Sequence, residues 1–321
     1  MSRPELSIVI PFLNEERVLP LLRERLEKLR DRPATWELVF VSDGSKDGSA
    51  EFIEAWARED ASVKLVVLAR NFGHQNAVSA GLCYASGSCV GIMDADLQDE
   101  PEVLLEMYHL LLREKVDVVY GVRTSRRETK GKQLLYFLFY RLYFFLADSP
   151  VQMDSGDFCV MSRRAVQLLL SLPEKLRFVR GLRAWLGLPG MPFPISRPAR
   201  AAGNPQYSLR KLTKLAFSGL TSFSTRPLRL GLVFGGFLCL GAVVAALIYV
   251  GIALFTNVHV TAPGFSTLLI VLLFSNGLIF LYLGILGEYL GQMFLEVKAR
   301  PSFIIERTIN LDQMRGTDEQ A

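Results

Sequence analysis

Short apolar runs alternate with amphipathic stretches through the first 120 residues of the chain. Between the runs, apolar side chains recur at helical spacing, as Leu22, Leu26 and Leu29 do in a helix predicted to open at Asn14. Strands that alternate with helices of this length predict an α/β fold with a mostly parallel sheet. The loops after the strands should then gather at one edge of that sheet. Five apolar runs have the length of buried strands: residues 6–11, 36–41, 64–68, 89–93 and 116–120.

Two later stretches, residues 230–255 and 265–287, contain no charged residue, and each is long enough to cross a bilayer as a helix. The turn between them carries no Lys or Arg, whereas basic residues precede the first stretch and follow the second. This asymmetry predicts a multi-pass protein of the cytoplasmic membrane with both termini in the cytoplasm. Because the first strand starts almost at Met1 with no signal peptide before it, we expect the N-terminal part to stay in the cytoplasm.

Composition and charge exclude several classes of function. The net charge of +4 gives no indication of a nucleic-acid partner, and the basic clusters lie near the predicted membrane segments, where anionic headgroups explain them. The chain has four cysteines and no CxxC pair, so we expect reduced thiols rather than disulfides or a zinc site. The first strand is not followed by a Gly-x-Gly-x-x-Gly sequence, and no Walker lysine loop appears. These absences argue against an NAD-binding domain and a P-loop ATPase.

The strongest candidate for chemistry follows the fourth apolar run, at Asp94 and Asp96. Carboxylates two residues apart at a strand end share a face, so both could bind one divalent cation, and Gln98 could add a neutral oxygen. Such hard oxygen ligands favour Mg²⁺ or Mn²⁺ that bridges a diphosphate. The alternative is a polar strand end before the helix that Pro101 begins, with Asp99 as its cap.

Polar residues also follow the other predicted strands, where a parallel sheet places its ligands. Each has an ordinary structural alternative: Asp43 could form an Asx turn, Arg70 could be a solvated charge, and His74 could be a hydrogen-bonded loop residue. What favours a shared site is that all of them leave the same ends of the strands. The residues are Pro11, Asn14 and Glu15 after the first strand, Asp43 after the second, and Arg70 and Asn71 after the third.

Several of these segments together resemble a known family. Ser42-Asp43-Gly44-Ser45, Arg70-Asn71-Phe72-Gly73 and Asp94-Ala95-Asp96-Leu97-Gln98-Asp99 are similar to segments of the family 2 glycosyltransferases of GT-A fold. The soluble part followed by two spans resembles the polyprenyl-phosphate glycosyltransferases, including bactoprenol glucosyltransferases and dolichol-phosphate mannose synthases. The resemblance implies an enzyme with four regions. These are a cytoplasmic GT-A domain over 1–208, an amphipathic juxtamembrane helix over 209–228, a transmembrane hairpin over 229–288 and a cytoplasmic segment over 289–321.

The resemblance also implies roles for individual residues. Asp96 is expected to act in catalysis through the metal, and Asp157 matches the candidate catalytic base of the family. A lipid monophosphate is already largely ionised near neutral pH, so Asp157 could instead orient the acceptor, and a purely structural role is the remaining alternative. The implied nucleotide-sugar-binding residues are Pro11, Asn14, Glu15, Asp43, Arg70, Asn71 and Asp94, and the implied metal ligands are Asp94, Asp96 and Gln98.

Two further regions are predicted to handle the lipid phosphate. Residues 133–147 form a short aromatic stretch with basic residues before it, typical of a helix at the membrane interface, although a core helix is the alternative. Residues 197–208 form a basic loop, either an acceptor lid or a plain linker. At 204–206 this loop departs from the family pattern, because the expected lysine is missing. The candidate phosphate-binding residues are Arg123, Arg126, Arg127, Arg200, Tyr207 and Ser208.

These observations lead to the hypothesis of an inverting glycosyltransferase that moves glucose from UDP-glucose to undecaprenyl phosphate for modification of a cell-envelope glycan. Mannose, N-acetylglucosamine and modified arabinose donors remain open, as does a catalytically inactive membrane scaffold. A processive polysaccharide synthase is less well supported, because two spans offer too little helix to enclose a polymer channel. The segment 288–305, which mixes apolar and charged residues, could pack between subunits of a homo-oligomer.

Overall fold

A computed structural model describes residues 3–29, 35–123, 155–175, 177–195 and 264–311, with single helical positions between 228 and 247. The chain divides into two compact units. The first unit comprises Met1–Lys132, Pro150–Tyr207 and Lys298–Ala321, and the second comprises Gln133–Ser149 and Ser208–Val297. The C-terminal segment therefore belongs to the same unit as the N-terminal strands.

The first unit is built on a sheet of eight described strands in the order β7-β5-β6-β4-β1-β2-β3-β8. Parallel pairs join β1 to β2 and β4, β2 to β3, and β5 to β7, whereas β6 and β8 pair antiparallel with their neighbours. This mixed, mostly parallel sheet confirms the predicted α/β class. The strands are β1 Leu6–Phe12, β2 Trp36–Ser42, β3 Val63–Leu68, β4 Cys89–Ile92, β5 Val118–Arg123, β6 Ser155–Ser162, β7 Gly190–Ile195 and β8 Ile305–Ile309.

Helices cover both faces of the sheet, and all seven residues of β1 are buried. Leu6, Ile8 and Ile10 lie in the same core cluster as the apolar side chains of α1, α2 and α4. Helix α3 packs on the opposite face so closely that a Cβ at Gly81 would lie 2.3 Å from Val9. The helices of this unit are α1 Leu19–Glu27, α2 Ser49–Glu59, α3 His74–Tyr84, α4 Pro101–Glu114, α5 Arg163–Ser171 and α6 Val179–Trp185.

Two local predictions need correction. Helix α1 begins at Leu19, not at Asn14, because Asn14 has a left-handed φ of 56° that no helix continues. Leu21, which the helical spacing grouped with the apolar positions Leu22 and Leu26, is instead 54% exposed. The pattern also missed β6, β7 and β8, of which β7 and β8 form the two edges of the described sheet.

Strand β8 holds the C-terminal segment against the edge of the sheet. It pairs antiparallel with β3, and the Ala69 N–H just beyond β3 donates to the Ile304 carbonyl at 2.9 Å. The Asn310 side chain then donates to the carbonyl oxygens of Ala57 and Val63. The pairing with β8 occupies backbone groups of β3 that would otherwise form an open edge.

In the second unit, helix α7 spans Phe265–Val297. Its portion Phe274–Val297, 24 residues long, is the one segment of the described chain long and apolar enough to cross a membrane, judged by length and composition. The first predicted span, 230–255, lies outside the described residues except for single helical positions, so the two-span topology stays a prediction. The helix continues ten residues beyond the predicted end at 287, since residues 288–297 contain no proline to stop it.

Candidate active site

The loops after β1 and β2 are bound to each other by their own polar groups. The Asn14 side-chain oxygen accepts from the Lys46 N–H at 2.8 Å, and the Asn14 N–H donates to Ser45 Oγ at 3.1 Å. The Glu15 N–H donates to Ser49 Oγ at 2.9 Å. The left-handed backbone of Asn14 is therefore part of a rigid edge at the carboxyl ends of the strands. Direct contact of Asn14, Glu15 or Pro11 with a nucleotide stays a prediction.

Asp43 connects this edge to the loop after β3. Its buried carboxylate accepts from the Phe72 N–H at 2.7 Å and from the Gly73 N–H at 3.0 Å. These bonds join two different loops, so the Asx-turn alternative does not describe this residue. Burial raises the pKa of Asp43 above its ordinary value of 3.8, and the two N–H donors act against that rise.

Close packing fixes the same two loops. Gly44 has φ of 69°, and a Cβ there would lie 2.4 Å from the Arg70 carbonyl carbon and 2.6 Å from the Asn71 nitrogen, so a larger residue would collide with backbone. The Arg70 guanidinium lies 4.3 Å from the centre of the Phe72 ring. Arg70 and Asn71 thus belong to the same edge as Asp43, as predicted from their strand-end positions.

The turn after β4 presents the two candidate metal-binding carboxylates. Asp99 is buried and accepts from the Asp94 N–H at 3.2 Å, while Asp96 accepts from the Gln98 N–H at 3.1 Å. Leu97 between them has a left-handed φ of 61°. The N-cap position of α4 is Glu100, so Asp99 stabilises the turn instead of capping the helix.

The donor chemistry of this turn fits a hard divalent cation. No group of three or more His, Cys, Asp or Glu side chains arranged to hold a metal occurs within the described ranges. Mg²⁺, however, is commonly bound by only one or two carboxylates together with substrate phosphates. Asp94 and Asp96, with Gln98, supply such a partial ligand set, and a diphosphate would complete it.

Asp157 reaches this edge through β6. In the antiparallel pairing of β4 with β6, Ile92 lies opposite Cys159, and continuing that register brings Asp157 opposite Asp94. Its side chain is 14% exposed and accepts from Gln75 Nε2 at 2.9 Å. Arg180 Nε lies 3.5 Å from the other carboxylate oxygen.

The charges around Asp157 keep it ionised. Burial opposes the charged form, but the adjacent His74 and the charges of Arg180 and Arg183 outweigh burial. They hold the pKa of Asp157 well below its ordinary value of 3.8. A carboxylate this acidic is a poor acceptor for a proton in catalysis.

His74 lies between the two carboxylate positions. Its Nε2 is 3.6 Å from Asp94 Oδ1 and 3.5 Å from Asp157 Oδ2, and the side chain is 42% exposed. Burial lowers the pKa of His74, but the neighbouring Asp157, Asp94 and Asp43 carboxylates outweigh burial and raise it above 6.5. The raised pKa favours the imidazolium form, which would attract the carboxylates on both the turn after β4 and β6.

Helix α6 adds two arginines on one helical face, since Arg180 and Arg183 are three residues apart. Arg183 is buried, donates to the Gly156 carbonyl at 3.3 Å and lies 5.6 Å from the centre of the Tyr120 ring. Sequence reasoning weighed His74 only as a loop residue and missed three residues of this cluster: Gln75, Arg180 and Arg183. The available signal was that His74 and Gln75 directly follow the Arg70–Gly73 segment.

The predicted lipid-binding residues fall mostly outside the described ranges. Arg126, Arg127, Arg200, Tyr207 and Ser208 lie there, as do the predicted interface helix 133–147 and the segment 209–227. Arg123 ends β5, and only its backbone is described. By contrast, Pro11, Asn14, Glu15, Asp43, Arg70, Asn71, Asp94, Asp96 and Gln98 all lie at or just beyond the ends of β1 to β4.

Comparison with known proteins identifies the family. The sequence pattern of glycosyl transferase family 2 matches residues 7–170, and an uncharacterized glycosyltransferase of Bacillus subtilis, YkcC, is 39% identical over 98% of both chains. The chain belongs to glycosyl transferase family 2. Its α/β sheet agrees with the GT-A-like catalytic domain that the resemblance implied, and it is an enzyme of the glycosyltransferase class.

Two further relatives carry more specific names. An SfII prophage-derived bactoprenol glucosyl transferase of Shigella flexneri is 35% identical over 95% of this chain and 98% of its own length. A prophage bactoprenol glucosyl transferase homolog of Escherichia coli K12 is 34% identical over 94% of this chain and 99% of its own length. The similarity thus extends beyond the family 2 domain into the C-terminal part of the chain.

Proposed function

We propose that this glycosyltransferase moves glucose from UDP-glucose to undecaprenyl phosphate at the cytoplasmic face of the membrane. The observation that carries the proposal is the 35% identity to a bactoprenol glucosyl transferase across almost the whole of both chains. A match limited to the sugar-transferring domain would support only the reaction class, whereas this one also covers the apolar helix α7. Helix α7 supports membrane attachment of the enzyme.

The leaving group is handled at the turn after β4. Asp94 and Asp96, with Gln98, would hold a divalent cation there, which supplies the positive charge that stabilises a departing diphosphate. The neighbouring loops supply the rigid edge beside it, because Asp43 fixes residues 72 and 73 by two hydrogen bonds. The proposed nucleotide contacts of Pro11, Asn14, Glu15, Asp43, Arg70 and Asn71 belong to this edge.

The attacking group needs little help from a base. A phosphate monoester loses its second proton near pH 6, so the acceptor arrives with a negatively charged oxygen. That oxygen forms a bond to the anomeric carbon as the bond from that carbon to UDP breaks, and attack from the opposite face gives a β-linked product. Asp157 remains unprotonated throughout, so its proposed role is to orient Gln75, His74 and Arg180 around the acceptor.

The test is a donor panel with purified enzyme in detergent. The enzyme is incubated with undecaprenyl phosphate, Mg²⁺ or Mn²⁺, and one donor at a time. The donors are UDP-glucose, UDP-N-acetylglucosamine, GDP-mannose and a UDP-activated modified arabinose. Mass spectrometry measures the mass of the lipid product. We expect a mass gain of one hexose with UDP-glucose. A different preferred donor would replace glucose in the proposal, and no transfer from any donor of the panel would favour the inactive scaffold.

A further inference from the structure

The side-chain amide of Gln75 joins two elements that are distant in sequence. Its Nε2 donates to Asp157 Oδ2 at 2.9 Å, and its Oε1 accepts from the Val179 N–H at 2.8 Å. Gln75 is the second residue of α3, Asp157 lies on β6, and Val179 is the first residue of α6. One amide thus uses its donor on a carboxylate and its acceptor on the start of a helix.

The bond to Val179 fixes the part of α6 that faces Asp157. The next residue, Arg180, places its Nε 3.5 Å from Asp157 Oδ1, the carboxylate oxygen that Gln75 does not contact. The Val179 N–H is at a helix N-terminus, where no carbonyl within the same helix can accept it. Gln75 therefore satisfies this N–H and also fixes the distance between the first turn of α6 and Asp157.

The chemistry of the amide suits this position. A glutamate would keep an acceptor for Val179 but would set a second negative charge against Asp157, and a lysine would offer no acceptor to Val179. An apolar side chain of similar size would supply neither bond. Only an uncharged group with a donor at one end and an acceptor at the other satisfies both partners.

We propose that Gln75 is a positioning residue for sugar transfer, which acts by locking the first turn of α6 to Asp157. The carboxylate then keeps one orientation while Arg180 and His74 stay beside it. The inference rests on the proposed function only for the identity of the acceptor, because the lock itself is a matter of hydrogen bonds. Gln75 contacts neither Asp94 nor Asp96 in these bonds, so its effect should fall on the acceptor rather than on the donor.

The kinetic test compares Gln75→Leu, Gln75→Glu and a control, Ser79→Ala. Ser79 is buried one turn further along α3, where its Oγ donates to the Gln75 carbonyl oxygen, and its side chain has no contact with Asp157 among the described bonds. With the donor that wild type prefers, we expect Gln75→Leu to lower kcat about 30-fold and to raise the KM for the lipid acceptor, with the KM for the nucleotide sugar within twofold. Ser79→Ala should match wild type in all three constants.

Gln75→Glu separates positioning from general packing. Near pH 8 it should be as impaired as Gln75→Leu, because two adjacent carboxylates repel each other. Near pH 6 it should recover several-fold, because one proton shared by the pair restores a donor to Asp157. Gln75→Leu has no such group and should show no recovery relative to wild type.

Amide hydrogen exchange of residues 178–186 tests the lock without any substrate. Exchange at Val179 should be about tenfold faster in Gln75→Leu, which lacks the acceptor, and close to wild type in Gln75→Glu and Ser79→Ala. Unchanged exchange in Gln75→Leu, or unchanged kcat and acceptor KM, would overturn the inference. If wild type fails with every donor while the exchange result holds, then the proposed function is wrong and the lock stands.

Discussion

Two carboxylate positions on neighbouring strands of this enzyme have opposite surroundings. At the end of β4, Asp94 is 31% exposed, and both it and Asp96 lie in a short turn with left-handed backbone at Leu97. On β6, Asp157 is 14% exposed and is surrounded by Gln75, His74 and Arg180. The first position is the proposed site for an incoming cation. The second is occupied by side chains of the protein itself.

The different surroundings of these aspartates indicate different roles, although the side chains are chemically identical. A carboxylate surrounded by the protein's own donors stays charged and fixed, whereas one at an exposed turn can bind a ligand that arrives with the substrate. We therefore place stabilisation of the leaving group at the turn and orientation of the acceptor at Asp157. The following variants test that division, from the largest expected effect to the smallest.

Removing the proposed metal ligand Asp96 should have the largest effect. Asp96→Ala is expected to lower the transfer rate by about 10³-fold or more, because the departing diphosphate loses its charge stabilisation. Lipid-linked product is measured at saturating Mg²⁺, with Glu114→Gln, an exposed carboxylate on α4, as the control. Full activity of the wild-type enzyme in excess EDTA would contradict the metal part of the proposal.

Neutralising Asp157 should lower activity less than removing Asp96 does. Asp157→Asn keeps the shape of the side chain but removes the charge that attracts Arg180 and His74, and we expect a loss of about 10²-fold in kcat. Asp117→Asn is a matched control. Asp117 is 15% exposed and accepts from Ser162 Oγ, which ends β6, the strand that carries Asp157. Because the pKa of Asp157 is depressed, wild-type kcat/KM should show no acidic limb from this residue above pH 5. Such a limb, absent from the variant, would restore Asp157 as a general base.

The loop that places His74 between the two positions depends on Asp43. Asp43→Ala leaves the part-buried N–H groups of Phe72 and Gly73 without their acceptor, and we expect about 2 kcal/mol of lost stability. The KM for the nucleotide sugar should rise about tenfold as the loop loosens. Thermal unfolding and donor titration measure these changes. Asp43→Asn keeps one acceptor oxygen, so its stability and its KM should lie between those of wild type and Asp43→Ala. A large rise in KM with unchanged stability would contradict the role in the loop and leave only the proposed contact of Asp43 with the nucleotide.

His74 should give the smallest effect, visible as a dependence of stability on pH in metal-free enzyme. Its folded pKa is raised, so its attraction to Asp94 and Asp157 is fully present below pH 6.5 and is lost as the pH rises through the folded value. The difference in Tm between wild type and His74→Asn should therefore be greatest near pH 6 and shrink towards pH 9. A difference that grows with pH would contradict an imidazolium bridge.

The edge formed by β1 to β4 was predictable because each strand carries its own signal. The apolar runs locate the strands, and a parallel sheet brings the residues after them together. The position of Asp157 beside Asp94 was not predictable in this way, because it depends on β6 running antiparallel to β4. Gln75 and Arg180 meet Asp157 across about 80 and 20 residues of chain, and no local pattern records such contacts.

Two edge strands were also hidden from the hydrophobic pattern. β7 contains Pro192 and Pro194, which argue against a central strand but are tolerated at an edge, where one side of the strand has no neighbour. β8 follows a long apolar helix and has the short sequence Ile-Glu-Arg-Thr-Ile, whose alternation is too brief to stand out.

The late position of β8 in the chain has a consequence for biosynthesis. A ribosome must finish the 33 residues of α7 before the last strand of the sheet exists, so β3 presents an open edge during most of translation. A shortened gene that stops before α7, the usual route to a soluble catalytic fragment, would keep that edge open permanently and invite aggregation. A fragment for crystallisation would therefore need β8 joined back to the domain by a linker in place of α7.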